Sequence, residues 1–122
     1  MNFLYVAFGG VVGALLRYCT LKILNFSKIT HIANIPINII LVNILGSLLL
    51  GLLLYVAKIW PISDSMRLFL VTGFLGSYTT YASFIHEFSV LFIQKDFFAA
   101  MIYLFTSLFI PFGIMIFFLI KL

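Results

Sequence analysis

Long apolar runs follow one another along almost the whole chain, and short polar connections separate them. The four longest runs extend from Phe3 to Leu24, Ile35 to Ala57, Leu68 to Ile93 and Phe97 to Ile120. An α-helix of roughly 20 apolar residues crosses the hydrocarbon core of a bilayer. The pattern therefore predicts an all-α membrane protein in which residues 1–122 form a single domain of four transmembrane helices.

The three prolines of the chain punctuate this pattern. Pro36 is expected in the first turn of the second helix, where its missing N–H costs nothing. Pro61 lies in the second connection, KIWPISDSMR, and marks the turn before the third helix. Pro111 falls inside the fourth helix and is expected to bend it. The opening MNFLYVAFGG lacks a positively charged leader and is expected to remain as the start of the first helix.

Composition narrows the class of protein. Hydrophobic residues make up 65% of the 122 residues and charged residues only 8%, which is incompatible with a soluble globule of this size. The net charge of +4 comes from single residues at the ends of apolar runs, without the basic cluster that nucleic-acid binding requires. Cys19 is the only cysteine, so an internal disulfide is excluded, and a small buried residue is expected there.

Basic residues are divided almost equally between the two sides of the membrane. Four spans put both termini and the second connection on one side, and the other connections, NFSKITHIAN and QKD, on the opposite side. The side of the termini carries Lys58, Arg67 and Lys121. The opposite side carries Lys22, Lys28 and Lys95, together with Arg17 near a helix end. Orientation normally follows the side richer in such residues. Near-equality predicts insertion in both orientations, and hence a possible antiparallel homodimer, unless the count misses a true bias.

Polar residues in the first two spans are candidates for an anion path. Gly9, Gly13 and Arg17 recur every four residues on one face, and glycines at this spacing let helices approach closely. Arg17 either reaches the membrane interface or attracts an anion. In the second span, Asn43 either bonds to another helix or donates its two amide N–H groups to an anion.

The segment GFLGSYTTYASF in the third span mixes glycines, hydroxyls and aromatic rings. Gly73 and Gly76 permit unusual backbone angles, so a break in the helix is expected there. Carbonyls freed by such a break commonly hold a cation. Tyr81 and Phe84 share a face, with Thr80 four residues before Phe84, and the positive ring edges suit a small anion. The alternative is that these aromatics simply fill the core.

Further polar residues follow in the third and fourth spans. Tyr103 and Ser107 are spaced i, i+4 and form a hydroxyl track, unless they bond back to their own helix. His86 and Glu87 are expected to form a structural pair or to lie at the interface, rather than to relay protons. The chain carries no ATP-binding motif and no set of nucleophile and base, so an enzyme is not expected.

Three segments, in this order, resemble the signature segments of the fluoride channel family called Fluc or CrcB. They are GGVVGALLRY, VNILGSLLLG and GFLGSYTTYASF in the first, second and third spans, and the resemblance covers essentially the whole chain. It implies an antiparallel, dual-topology homodimer in the bacterial inner membrane, surrounded by lipid. Such a dimer has two fluoride pathways and a structural sodium ion (Na+) at its centre.

The resemblance also implies roles for the candidate residues. The fluoride pathway is expected to be lined by Asn43, Thr80, Tyr81, Phe84, Tyr103 and Ser107. Arg17 is expected in the anion vestibule, and the backbone carbonyls of Gly76 and Thr79 are expected to bind the sodium ion.

This chain departs from the family pattern at several positions. Tyr81 stands where the family usually has phenylalanine, which adds bulk and a competing hydrogen-bond donor. Asn38 and Ile39 replace a usual Gly-Thr pair, and Pro111 falls where a further pore serine is expected. These departures would suit one subunit of a heterodimer whose paralogous partner completes the pore, although the homodimer is favoured.

Passive export of fluoride is the function expected from this resemblance. HF enters cells as a neutral acid and ionises inside, and a channel lets the trapped anion leave. One rival is a proton-coupled exporter of the small multidrug type, which needs a membrane carboxylate in the first helix, whereas the first acid here is Asp64 in the second connection. The other rival is a non-conducting structural subunit.

Overall fold

The computed structural model describes residues 1–28 and 30–122 and is almost entirely helical. Its long helices are α1 (Asn2–Phe26), α2 (Ile37–Ile59) and α6 (Phe97–Lys121). Between α2 and α6 lie α3 (Asp64–Arg67), a π-helix (Leu68–Leu75), α4 (Gly76–Tyr78) and α5 (Tyr81–Ile93). With Asp64–Ile93 taken as one segment, four helical segments are long and apolar enough to cross a membrane. The predicted four spans are confirmed, and Ile29, in the predicted first connection, lies outside the described residues.

A short hairpin precedes the second span. Strand β1 (His31–Ile32) pairs antiparallel with strand β2 (Ile35–Pro36). Ala33 and Asn34 join the strands with φ angles of 50° and 68°, in the left-handed region that a tight two-residue hairpin requires. The prediction that the helix starts at Ile35 is therefore wrong, and Pro36 lies just before α2 rather than in its first turn.

The third span begins earlier than predicted. Asp64 was expected in a connection, but it is the first residue of α3. The hydroxyl of Ser63 caps this helix by accepting a hydrogen bond from the Met66 N–H at 3.2 Å. Pro61 lies in the irregular segment before it, as predicted, and Pro111 lies inside α6.

Glycines hold α1 against the third span. Gly9 and Gly13 are buried, and a Cβ on either would overlap a backbone oxygen of the π-helix, from Phe69 or Phe74. Gly73 faces them, and a Cβ there would overlap the backbone of α1. Small residues allow such close approach of helices within lipid. The predicted packing role of Gly9 and Gly13 is confirmed.

The break in the third span lies at Thr79 and Thr80, beyond the glycines predicted to cause it. Both threonines are extended, with φ/ψ angles of −75°/154° and −139°/113°. Gly76 keeps helical angles, and no glycine in the described residues has a positive φ. The expected break is present, but the expectation that it lies at Gly73 and Gly76 is wrong, because Gly73 serves the contact with α1.

A buried hydrophobic cluster lies where β2, α2, α5 and α6 meet. It contains Ile35, Ile39, Ile40, Phe84, Leu91, Ala99, Ala100 and Tyr103. Many other large apolar side chains are exposed, as expected for surfaces that contact lipid or another subunit. Cys19 is also exposed, so the expectation that it is buried is wrong.

Candidate anion pathway

Most of the predicted site residues line a single cleft beside the break in the third span. The cleft has a volume of about 390 Å³ and is bordered by α2, α5 and α6 as well as by the break. The predicted residues in its lining are Asn43, Gly76, Thr79, Thr80, Tyr81, Phe84 and Ser107. Tyr103 and Arg17 lie outside this lining. The structure thus brings together residues from three different spans.

Asn43 projects from α2 into the break. Its Oδ1 accepts a hydrogen bond from the N–H of Thr80 at 2.9 Å, and its Nδ2 donates one to the Thr80 carbonyl at 3.2 Å. A primary amide carries two N–H donors, so one remains for a further acceptor. Asn43 therefore joins two spans, which is the first of the two alternatives left open by the sequence, and it keeps one of the two donors that the second alternative requires.

Thr80 lies immediately before α5 and caps it. Its Oγ1 accepts a hydrogen bond from the N–H of Ser83 at 3.2 Å and donates one to the Ser83 hydroxyl at 3.0 Å. A threonine in this position satisfies an N–H that the helix leaves without an internal acceptor. The hydroxyl hydrogen of Thr80 is thus engaged in its own cap, and Thr80 borders the cleft without a free donor.

At the break, the N–H groups that a continuous helix would pair with the Gly76 and Thr79 carbonyls bond to side chains instead. The N–H of Thr80, which would bond to the Gly76 carbonyl, bonds to Asn43 instead. The N–H of Ser83, which would bond to the Thr79 carbonyl, bonds to the Thr80 hydroxyl. The carbonyls of Gly76 and Thr79, the predicted cation ligands, therefore lie beside the cleft without their helical donors.

Phe84 forms the centre of an aromatic group at the cleft. Its side chain is only 7% exposed, whereas Tyr81 is 77% exposed. The ring centroids of these two residues are 6.1 Å apart, with the planes at 41°. Tyr103 packs on Phe84 with a centroid distance of 5.3 Å and is itself fully buried. Phe84 therefore belongs both to the core and to the wall of the cleft.

The hydroxyl groups of Tyr103 and Ser107 are buried without a hydrogen-bond partner in residues 1–28 and 30–122. They do not bond back to their own helix, whereas the neighbouring Thr106 does, to the carbonyl of Ile102 at 2.7 Å. A buried polar group left unpaired costs about 1–3 kcal/mol. These two hydroxyls can donate to an anion that passes between α5 and α6.

Charged side chains are absent from the described residues that line the cleft. Arg17 is half-buried on α1, outside the cleft lining. His86 Nδ1 and Glu87 Oε1 are 3.7 Å apart, in agreement with the expected pair. The His86 side chain is 74% exposed and that of Glu87 is 30% exposed. The cleft is therefore lined by neutral groups.

Sequence reasoning missed the apolar part of the cleft wall, which includes Val71, Leu75 and Leu108. Apolar residues fill most positions of a span, so their type carries no signal for such a role. The cap formed by Thr80 did have a signal, because threonine is among the residues preferred immediately before the first residue of a helix. That signal places the break at the threonines.

Comparison with known proteins identifies the family. The chain matches the family model described as CrcB-like protein, Camphor Resistance (CrcB), over residues 4–119. A protein of Thermosipho melanesiensis named "Fluoride-specific ion channel FluC" is 37% identical over 115 residues, which cover 92% of this chain and 88% of the relative. A protein of the same name from Thermosipho africanus is 43% identical over 88 residues, which cover 71% of this chain and 69% of the relative. A third, from Chlorobium chlorochromatii, is 40% identical over 108 residues, 88% of this chain and 81% of the relative. Because the family model spans nearly the whole chain and these relatives align along most of their length, the chain belongs to the CrcB family.

Proposed function

We propose that this protein is a fluoride-selective channel of the bacterial plasma membrane that exports fluoride passively and so protects the cell. The observation that carries the proposal is the pair of buried, unpartnered hydroxyls of Tyr103 and Ser107 near Phe84 and the cleft. Similarity to proteins named "Fluoride-specific ion channel FluC" supports the choice of ion. HF crosses the membrane neutral and ionises inside, and the channel releases the trapped anion down its gradient.

The chemistry of the cleft suits a small anion that sheds part of its water. The donors are the remaining amide N–H of Asn43 and the hydroxyls of Ser107 and Tyr103. The ring edge of Phe84 adds a region of positive potential. Conduction requires binding at several sites, each weak enough to release the ion. Neutral donors meet this requirement, whereas a fixed cation inside the membrane would hold fluoride too tightly.

A structural sodium ion at the break is part of the proposal. Carbonyl groups of unwound backbone coordinate Na+ in membrane proteins. The Gly76 and Thr79 carbonyls fit this role because their helical donors bond elsewhere. The ion would supply a positive charge that compensates the two carbonyl dipoles.

The proposed functional unit is an antiparallel homodimer, with the chain inserted in both orientations. A single chain leaves Tyr81 77% exposed, and a second copy would cover it. The near-equal number of basic residues on the two sides favours insertion both ways. Two copies would also bring four such carbonyls to one sodium ion. Arg17, half-buried on α1, is proposed to attract fluoride at the vestibule.

Ion efflux from proteoliposomes that contain only this chain tests the proposal. With potassium and valinomycin to clamp the voltage, we expect rapid fluoride release, no chloride release, and no release from empty liposomes. Fluoride release that appears only after a paralogous chain is added would indicate a heterodimer. Proton-driven uptake of a cationic drug would indicate an exporter, and release of neither halide with any partner would contradict the channel.

A further inference from the structure

We propose that Asn43 is a positioning residue that sets both of the carbonyl groups assigned to sodium. The inference rests on the proposed sodium site at Gly76 and Thr79, and it gives Asn43 a role distinct from donation to fluoride. A single hydrogen bond, from the Thr80 N–H to Asn43 Oδ1 at 2.9 Å, carries it. That bond acts on the two carbonyls in different ways.

The first effect concerns Gly76. In a continuous α-helix the N–H of Thr80 would bond to the Gly76 carbonyl four residues earlier. The side-chain oxygen of Asn43, on a different span, accepts the hydrogen bond from this N–H instead. The Gly76 carbonyl is therefore available to a cation because of a side chain on α2. Glycine flexibility plays no part, since Gly76 keeps helical angles of φ −61° and ψ −33°.

The second effect concerns Thr79. Its carbonyl and the N–H of Thr80 belong to one peptide group, which is planar and trans, since the described residues contain no cis peptide bond. The C=O and N–H of a trans peptide point in opposite directions. Anchoring the N–H on Asn43 therefore directs the Thr79 carbonyl away from Asn43. One hydrogen bond thus fixes the orientation of the second ligand.

Two further contacts hold the residues of the break against α2. Asn43 Nδ2 donates to the Thr80 carbonyl at 3.2 Å, so the Asn43 amide bonds to both the N–H and the carbonyl of Thr80. Gly46, about one turn further along α2, leaves room for the Thr79 methyl group, because a Cβ on Gly46 would overlap Thr79 Cγ2. The break therefore packs against α2 at Asn43 and Gly46.

Side-chain variants separate this role from anion binding. Asn43→Asp keeps an oxygen acceptor for the Thr80 N–H but removes the amide donors, including the one bonded to the Thr80 carbonyl, which is not one of the two carbonyls assigned to sodium. Asn43→Ala removes the acceptor and the donors together. Ser107→Ala removes a hydroxyl of the proposed fluoride pathway on α6 and leaves the Asn43 bond unchanged. We expect all three to slow fluoride efflux, whereas only Asn43→Ala should weaken sodium binding.

Sodium binding is measured without conduction, from the thermal unfolding of purified protein in detergent. Na+ is titrated at constant ionic strength, with N-methyl-D-glucamine as the replacing cation. For the wild-type chain, Asn43→Asp and Ser107→Ala, we expect Na+ to raise the unfolding temperature over the same concentration range. Asn43→Ala should require at least about tenfold more Na+, which corresponds to about 1.4 kcal/mol.

Several results would overturn the inference. One is that Na+ raises the unfolding temperature of Asn43→Ala over the same concentration range as that of the wild type. Another is that Asn43→Asp requires as much Na+ as Asn43→Ala does. If Asn43→Ala does not fold, Gly46→Ala replaces it, because displacing the Thr79 methyl group should also weaken sodium binding. A Gly46→Ala variant with the same sodium dependence as the wild type would contradict the inference. A wild-type chain that conducts fluoride but unfolds independently of Na+ would refute this inference and the proposed sodium site, while leaving the proposed fluoride conduction intact.

Discussion

Removing a hydroxyl group from the fourth span should make the protein more stable and less conductive at the same time. Tyr103 is fully buried, and its hydroxyl has no partner in the part of the chain that the structure describes. An unpaired buried polar group costs about 1–3 kcal/mol. Tyr103→Phe keeps the ring that packs on Phe84 at 5.3 Å and removes only that group. We expect the free energy of unfolding to rise by about 1 kcal/mol or more.

The same substitution should also lower the fluoride flux through the channel. A hydrogen bond to a charged group is worth about 1.5–3 kcal/mol, and each 1.4 kcal/mol corresponds to about a factor of ten. If the Tyr103 hydroxyl donates to fluoride at the barrier of its path, the flux should fall by roughly 10- to 100-fold. Ser107→Ala should act in the same direction, because its hydroxyl is also buried and unpaired.

Thr106→Ala is the matched control. The Thr106 hydroxyl donates to the carbonyl of Ile102 at 2.7 Å, so its removal relieves no unpaired group. This variant should conduct normally and should be no more stable than the wild type. Unfolding in detergent reports stability, and voltage-clamped efflux from proteoliposomes reports conduction. A Tyr103→Phe variant that loses stability while conducting normally would refute the reasoning.

Other substitutions test the ring edge, the helix packing and the vestibule. Phe84→Ile should abolish fluoride efflux because an aliphatic side chain has no positive edge, whereas Tyr81→Phe should retain it. Normal efflux through Phe84→Ile would rule out the ring-edge role. Gly13→Ala should destabilise the protein by about 1–3 kcal/mol, because the new Cβ overlaps the backbone of the π-helix. Gly10→Ala, whose Cβ meets nothing within 4 Å, should be neutral, and similar losses in both would argue against the packing. Arg17→Gln should reduce fluoride flux mainly at low salt, since salt screens attraction by a single charge. A flux unaffected at any ionic strength would place Arg17 outside the vestibule.

The number of spans could be predicted because the bilayer imposes a length of about 20 apolar residues on each helix. The ends of the spans were less predictable because local hydrogen bonds decide them. The Ser63 cap extends the third span toward the N-terminus. The turn at Ala33 and Asn34 takes Ile35 out of the second span, although isoleucine there suggests a membrane helix.

The break was predicted in the correct span but at the wrong residues. Glycine in a membrane helix serves either unusual backbone angles or close packing, and residue type alone does not distinguish them. Gly73 serves packing against α1. Thr80 leaves the helix with its N–H bonded to Asn43, which lies 37 residues away along the chain. Helical periodicity cannot show a contact so distant in sequence.

Because the two hydrogen bonds between Asn43 and Thr80 lie within one chain, no second subunit is needed to hold the irregular segment of the third span. A solitary subunit in lipid then carries carbonyl oxygens without donors, and each such group costs several kcal/mol in hydrocarbon. Apolar side chains give little drive to associate there, because lipid tails solvate them equally well. In the proposed dimer a partner would shelter these oxygens, which would add a polar contribution to pairing. Assembly rather than folding would then be the step at which the proposed cation is bound.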